Sequence, residues 1–302
     1  MSININNKVD EYVINPDNRP DFSQKSDAIE FVKNRIIDKN SPSRVIGENT
    51  VFFPGYSQRT GLETIIPVDA LRNKYFEELL NILKYPDVGW GWLRLIKYNE
   101  FSTLKPALDI LGIGYVLAMP GTNIDGDLTK IYSGDLDVWE NKSVWPRAFF
   151  VSQMKCINQP KEILDLYLSN QGQPFAALES KDCERAETLG AIAPAVKFSP
   201  AFGYKLTNNS TSFIVNAPEP GIVVLSESYY PGDFIAKING KAIDYFRVNQ
   251  AFKGVIIDKP GLNEITFTYR PKFLNFSLWT LLLGFIILWL VVYIRLNLKI
   301  TK

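Results

Sequence analysis

The chain has 302 residues, 46% of them hydrophobic, with 33 basic and 32 acidic side chains and no histidine. The near-neutral balance leaves no electrostatic footprint for nucleic acid, and the lack of histidine removes histidine acid/base catalysis, Ser-His triads and most zinc sites. The length accommodates two ordinary domains beside a membrane segment.

Residues 1–24 read as a polar lead-in, without the basic and apolar regions of a secretory signal. Asp27 and Glu30 form a capping box opening a helix whose Ile29, Val32 and Ile36 share one face, and which ends before Pro42. Arg44 to Gly47 reads as a strand. Asp69 caps a second helix, in which Leu71, Tyr75, Leu79 and Leu83 keep helical spacing until Pro86 stops it. A shorter helix, Pro106 to Leu111, runs through Gly112 into a strand at Tyr115 to Ala118. Strand-like pieces follow at Thr129 to Tyr132, Asp137 to Trp139 and Arg147 to Ser152, then a helix at Pro160 to Ser169. Residues 25–190 thus read as a small α/β domain.

Residues 191–271 carry a different pattern. Short strands are punctuated by turn signals at Pro218 to Gly221, Pro231-Gly232, Asn239-Gly240 and Pro260-Gly261, as in a β-sandwich. Asn239-Gly240 predicts a type I′ hairpin. In the last strand Ile265, Phe267 and Tyr269 alternate with Glu264, Thr266, Thr268 and Arg270. The fold class that results is α+β with an all-β part.

Phe273 to Ile294 holds 22 residues and no charge, which at about 1.5 Å per residue reaches the roughly 30 Å of a bilayer core. Residues 273–295 therefore read as a transmembrane helix and residues 296–302 as a short basic tail, with the lipid bilayer as a partner. Trp279 near one end, and Trp289 with Tyr293 near the other, suit the two interfaces. Because the sandwich runs into the span through Pro271 and Lys272, its last strand is expected close to the bilayer.

Residue types that carry chemistry are sparse. Cys156 and Cys183 are the only cysteines, at a spacing that fits no metal or redox motif; a disulfide and two separate buried thiols both stay open. Asp125, Asp127, Asp135 and Asp137 lack the spacing of a calcium loop and read as turn residues, so no metal site is assigned. Gly55, Gly61, Gly89 and Gly91 form no phosphate loop, since no Gly-Lys-Ser/Thr follows, and no cofactor is assigned. Trp90, Trp92, Trp139, Trp145, Tyr229 and Tyr230 are the aromatics available to stack on sugar rings, although core packing is the commoner role of each such residue. Tyr229 and Tyr230, beside the Pro231-Gly232 turn, are the glycan-binding candidates, and no catalytic residue is assigned.

Several stretches, in order, resemble the C-terminal part of the YfhO-type bacterial membrane proteins. They are Ser43 to Gly47, Ala107 to Leu117, Val138 to Asn141 with Pro146 to Phe149, Leu225 to Gly232, Ile238 to Lys241, Val248 to Val255 and Phe267 to Pro271, followed by the final apolar helix. One local departure is Asp233, where that family often has tryptophan after Tyr-Pro-Gly. The resemblance implies a GT-C-like glycosyltransferase that moves sugar from a polyprenyl-phosphate carrier onto an envelope glycopolymer. It also implies an extracytoplasmic soluble region and catalytic helices upstream or separate from this chain, which would do the exporting that no signal peptide here provides. The flanking charges, Arg270 and Lys272 before the span against Arg295, Lys299 and Lys302 after it, lean towards a cytoplasmic tail. The rival expectation is a tail-anchored scaffold or interaction protein with a cytosolic domain.

Overall fold

The computed structural model describes residues 25–39, 41–52, 56–65, 73–86, 95–179, 182–184 and 197–300. The lead-in, the Asp69 cap, Leu71, Trp90 and Trp92 lie outside these. The first helix, α1 (Asp27–Asp38), is capped one residue earlier than expected, by Ser26, whose Oγ accepts the Ile29 N–H at 3.2 Å. Asp27 and Glu30 instead lie in its first turn, where carboxylates favour the helix dipole.

The α/β part is a four-stranded sheet in the order β1 (Arg44–Gly47), β2 (Ile113–Ala118), β4 (Asp137–Glu140), β3 (Thr129–Ser133). The first pair is parallel and the others antiparallel. The crossover between β1 and β2 carries α2 (Tyr56–Thr60), α3 (Lys74–Ile82) and α4 (Lys105–Ile110). Alternation sorts the faces: Val45, Tyr115, Leu117 and Val138 pack beneath α1, while Ile46, Val116 and Trp139 enter the main core on the other side.

The sandwich is two five-stranded sheets. The outer one runs β13 (Lys241–Ile243), β12 (Phe234–Ile238), β16 (Gly261–Tyr269), β10 (Ser210–Ala217), β9 (Phe202–Leu206). The inner one runs β14 (Phe246–Val248), β15 (Phe252–Ile257), β11 (Gly221–Ser228), β5 (Ala148–Val151), β8 (Phe198–Pro200). β5 comes from the stretch read as part of the α/β domain, so the inner sheet reaches back across the expected boundary at residue 190. The reason lies in its side chains. Phe150, Val223, Leu225, Val255 and Ile257 face the outer sheet, whereas Phe149, Val151, Ile222, Val224 and Ile256 face the α/β layer. A sheet buried on both faces reads as a continuous apolar run, which hides its place in a sandwich.

The Asn239-Gly240 hairpin forms as expected, with positive φ at both residues and Ile238 opposite Lys241. A short parallel pair, β6 (Met154–Ile157) with β7 (Ala176–Glu179), flanks α5 (Glu162–Ser169) and was not legible in the sequence. A disulfide joins Cys156 on β6 to Cys183, settling the open question in favour of pairing. The chain ends in α6 (Leu274–Ile300), of which Leu274–Arg295 is long and apolar enough to cross a membrane, with its side chains uncovered by the rest of the protein.

Candidate functional site

The most developed polar site surrounds Asp109. It sits on α4, fully buried, and its carboxylate collects donors from three elements. Oδ1 accepts Asn141 Nδ2 at 2.8 Å and Ser143 Oγ at 2.9 Å; Oδ2 accepts the Tyr167 hydroxyl at 2.6 Å and the ammonium of Lys105. Burial, then the hydrogen bond to Asp109, pushes the Tyr167 phenol well above the ordinary tyrosine range, so Tyr167 is a fixed donor here. Lys105 also reaches Ser143 Oγ. This pair is not a Ser-Lys nucleophile: Lys105 is ion-paired with Asp109, and Ser143 gives its proton to Asp109 or Asn141.

Beside this network opens a cavity of about 620 Å³, within the range of small-molecule sites. Lys142, Gln171 and Gln173 supply polar groups to its lining, while Phe198, Pro146 and Leu168 supply apolar wall. Trp145 forms part of the lining and is otherwise core, its indole N–H held by the Gly172 carbonyl at 2.7 Å. Amides and an ammonium above an apolar wall can hold a polyol: the donors meet hydroxyls and the wall meets C–H faces.

The two tyrosines singled out in the sequence part company. Tyr229 is half-buried between the rings of Tyr75 and Tyr245, at 5.9 and 5.5 Å, and its carbonyl accepts Asn73 Nδ2 at 2.8 Å. Since Asn73 also caps α3, Tyr229 fastens that helix to the sandwich. Tyr230 is exposed at the end of the sandwich from which α6 departs. Trp139 and Trp145 are core residues.

The acidic residues at 125–137 do not converge. Asp125 caps Ser102, Asp135 holds the start of α1 through Ala28 N–H at 3.0 Å, and buried Asp137 takes Lys130 at 2.6 Å and Gly121 N–H at 3.0 Å. Among the described residues no group of three or more His, Cys, Asp or Glu side chains is placed to hold a metal.

Sequence reasoning missed a buried ionic cluster where the two parts meet. Glu227 on β11 binds Lys253 on β15 at 2.9 Å and Arg147 at 2.8 Å, and Arg147 also pairs with Glu63. Arg44 donates to the Leu111 carbonyl at 2.6 Å and the Ser226 carbonyl at 2.5 Å, tying β1 to the inner sheet. Burial drives the Glu227 carboxyl up, but Lys253 and Arg147 together outweigh it and hold it at about 2. Charged residues scattered over 200 positions give no local signal, so only the fold reveals them. Set beside family models, curated proteins and solved structures, the chain matches none of them.

Proposed function

We propose that this protein is the membrane-anchored, extracytoplasmic accessory region of a YfhO-type, GT-C-like glycosyltransferase. In this reading it holds an envelope glycopolymer near the bilayer while upstream or separate membrane helices transfer sugar from a polyprenyl-phosphate donor. The observation that carries the extracytoplasmic side is the Cys156–Cys183 disulfide in a soluble region that leads directly into a span, because such bonds persist in oxidising compartments. Support for the glycan role comes from the ordered motifs of the resemblance and from the polyol-compatible cavity beside Asp109. With Tyr229 engaged in packing, the cavity is the better contact surface, and Tyr230 remains as a single exposed ring.

Two measurements test the reading. Protease added to spheroplasts cuts the 121–126 loop and spares the tail beyond Arg295; protection of that loop until lysis would instead support the cytosolic tail-anchored scaffold. Titration of the full chain in micelles with envelope glycopolymer fragments shifts NMR signals of Lys142, Gln173 and Phe198 at millimolar concentration, roughly −4 kcal/mol. Unchanged spectra remove the glycan role and leave a bracing one. The purified chain alone turns over no polyprenyl-phosphate sugar.

A further inference from the structure

The last sandwich strand ends at Tyr269 and the span begins at Leu274. Five residues reach about 17 Å at most when fully extended, and a turn in which Leu274 N–H donates to the Pro271 carbonyl at 2.9 Å shortens that distance. The end of the sandwich must therefore lie within reach of the lipid headgroups. The connection is also fixed in direction. Asp233 accepts the Arg270 N–H on its carbonyl at 2.7 Å and the Lys272 N–H on Oδ1 at 3.1 Å, so one residue grips the linker twice.

Two loops converge at this end. The 230–233 turn is held by Asp233, and the 207–209 loop is held by Tyr269, whose N–H donates to the Asn209 carbonyl at 2.7 Å. Tyr230 and Tyr269 are exposed here at 40% and 44%. Lys205, Arg270 and Lys272 are exposed at the same end; of the acids there, Asp233 is engaged with the linker and exposed Asp244 follows β13, leaving basic groups in excess. Tyrosine is enriched at membrane interfaces, and basic residues beside a span pair with anionic headgroups.

We propose that this end of the sandwich is a docking rim for anionic lipid headgroups: Tyr230 and Tyr269 sit in the interface, Lys205, Arg270 and Lys272 face lipid phosphates, and Asp233 sets the tilt of the soluble region. The rim works on either side of the membrane and does not rest on the glycan reading. Its consequence is that the soluble region lies in a defined orientation, with α3 and the Asp109 cavity at a fixed height above the lipid.

The test uses the full chain in nanodiscs with one added cysteine carrying a spin label, since the native pair is bonded. Asn208→Cys reports on the rim, and Leu262→Cys reports on the opposite end of the outer sheet, where Leu262 lies opposite Asn216. The expected result is strong relaxation at position 208, and none at 262, by a headgroup-attached relaxing agent. Adding phosphatidylglycerol to phosphatidylcholine should strengthen the signal at 208. Arg270→Gln with Lys272→Gln should abolish most of that gain, about five-fold in the docked population for each charge removed. Asp233→Ala should split position 208 into docked and undocked populations. A label at 208 no closer to the headgroups than one at 262 overturns the proposal, as does a signal indifferent to both lipid charge and the Arg270 and Lys272 variants.

Discussion

The Tyr167 hydroxyl donates to Asp109 Oδ2 across 2.6 Å, joining α5 to α4 behind the wall of the cavity. Tyr167→Phe removes one of the donors on a buried carboxylate and should cost about 1–2 kcal/mol. Asp109→Ala removes the buried acceptor shared by Lys105, Asn141, Ser143 and Tyr167 and should cost about 3–5 kcal/mol. Urea unfolding of the chain in micelles measures both, and equal losses would show that the network does not act through Asp109. In the native protein, spectrophotometric titration should leave more than one tyrosine un-ionised above the ordinary range, since burial also raises Tyr204 to about 12, and Asp109→Asn should lower Tyr167 part of the way, its burial remaining.

Glu227 makes stability depend on acid. Its carboxyl is held at about 2 in the folded chain against an ordinary value of 4.5, so the unfolded chain binds the proton first as pH falls. The stabilisation, about 3 kcal/mol, is complete above pH 4.5 and disappears as pH falls towards 2. Glu227→Gln should flatten the unfolding midpoint across that window. At neutral pH it should also destabilise, because Lys253, 1% exposed and 3.7 Å above the Phe234 ring centre, loses its counter-charge.

The disulfide closes a loop spanning 27 positions, worth about 3–4 kcal/mol by the chain-entropy account. Cys156→Ser should lower the unfolding midpoint accordingly. In cells, the thiols of the intact protein should resist alkylation until a reductant is added. Alkylation without reductant would place them in a reducing compartment, against the extracytoplasmic proposal.

Local patterns carried most of the fold. Helical spacing in residues 75–83, alternation in β16 and the Asn239-Gly240 turn are each decided by neighbours in sequence, and each formed where expected apart from its cap. What stayed hidden depends on distant pairing. β5 is apolar throughout and could belong to either part, and β6 and β7 pair in parallel across a helix. The site was the least legible. Asp109 looks like an ordinary helical acid until Asn141, Ser143 and Tyr167 arrive from elsewhere, and Asn249 gives no sign that it replaces a strand partner by bonding Ala177 N–H at 2.7 Å and the Phe175 carbonyl at 2.9 Å.

The span makes a fourth expectation. Thirteen Leu, Ile, Phe and Val residues between Phe276 and Ile294 give roughly −4 to −8 kcal/mol for insertion. The full chain should remain with membranes through a carbonate wash, and a version ending at Lys272 should not. Release of the full chain by carbonate would overturn the anchor.

The path of the inner sheet also sets an order of events during synthesis. β5 leaves the ribosome well before its partners β8 and β11, and the outer sheet gains its central strand only with β16, whose last residue precedes the span by five positions. Closure of the sandwich and insertion of the helix therefore fall almost together. Until then, Phe150, Val223 and Leu225 lack their outer cover, whereas the α/β layer is already made for Phe149, Val151, Ile222 and Val224 on the other face.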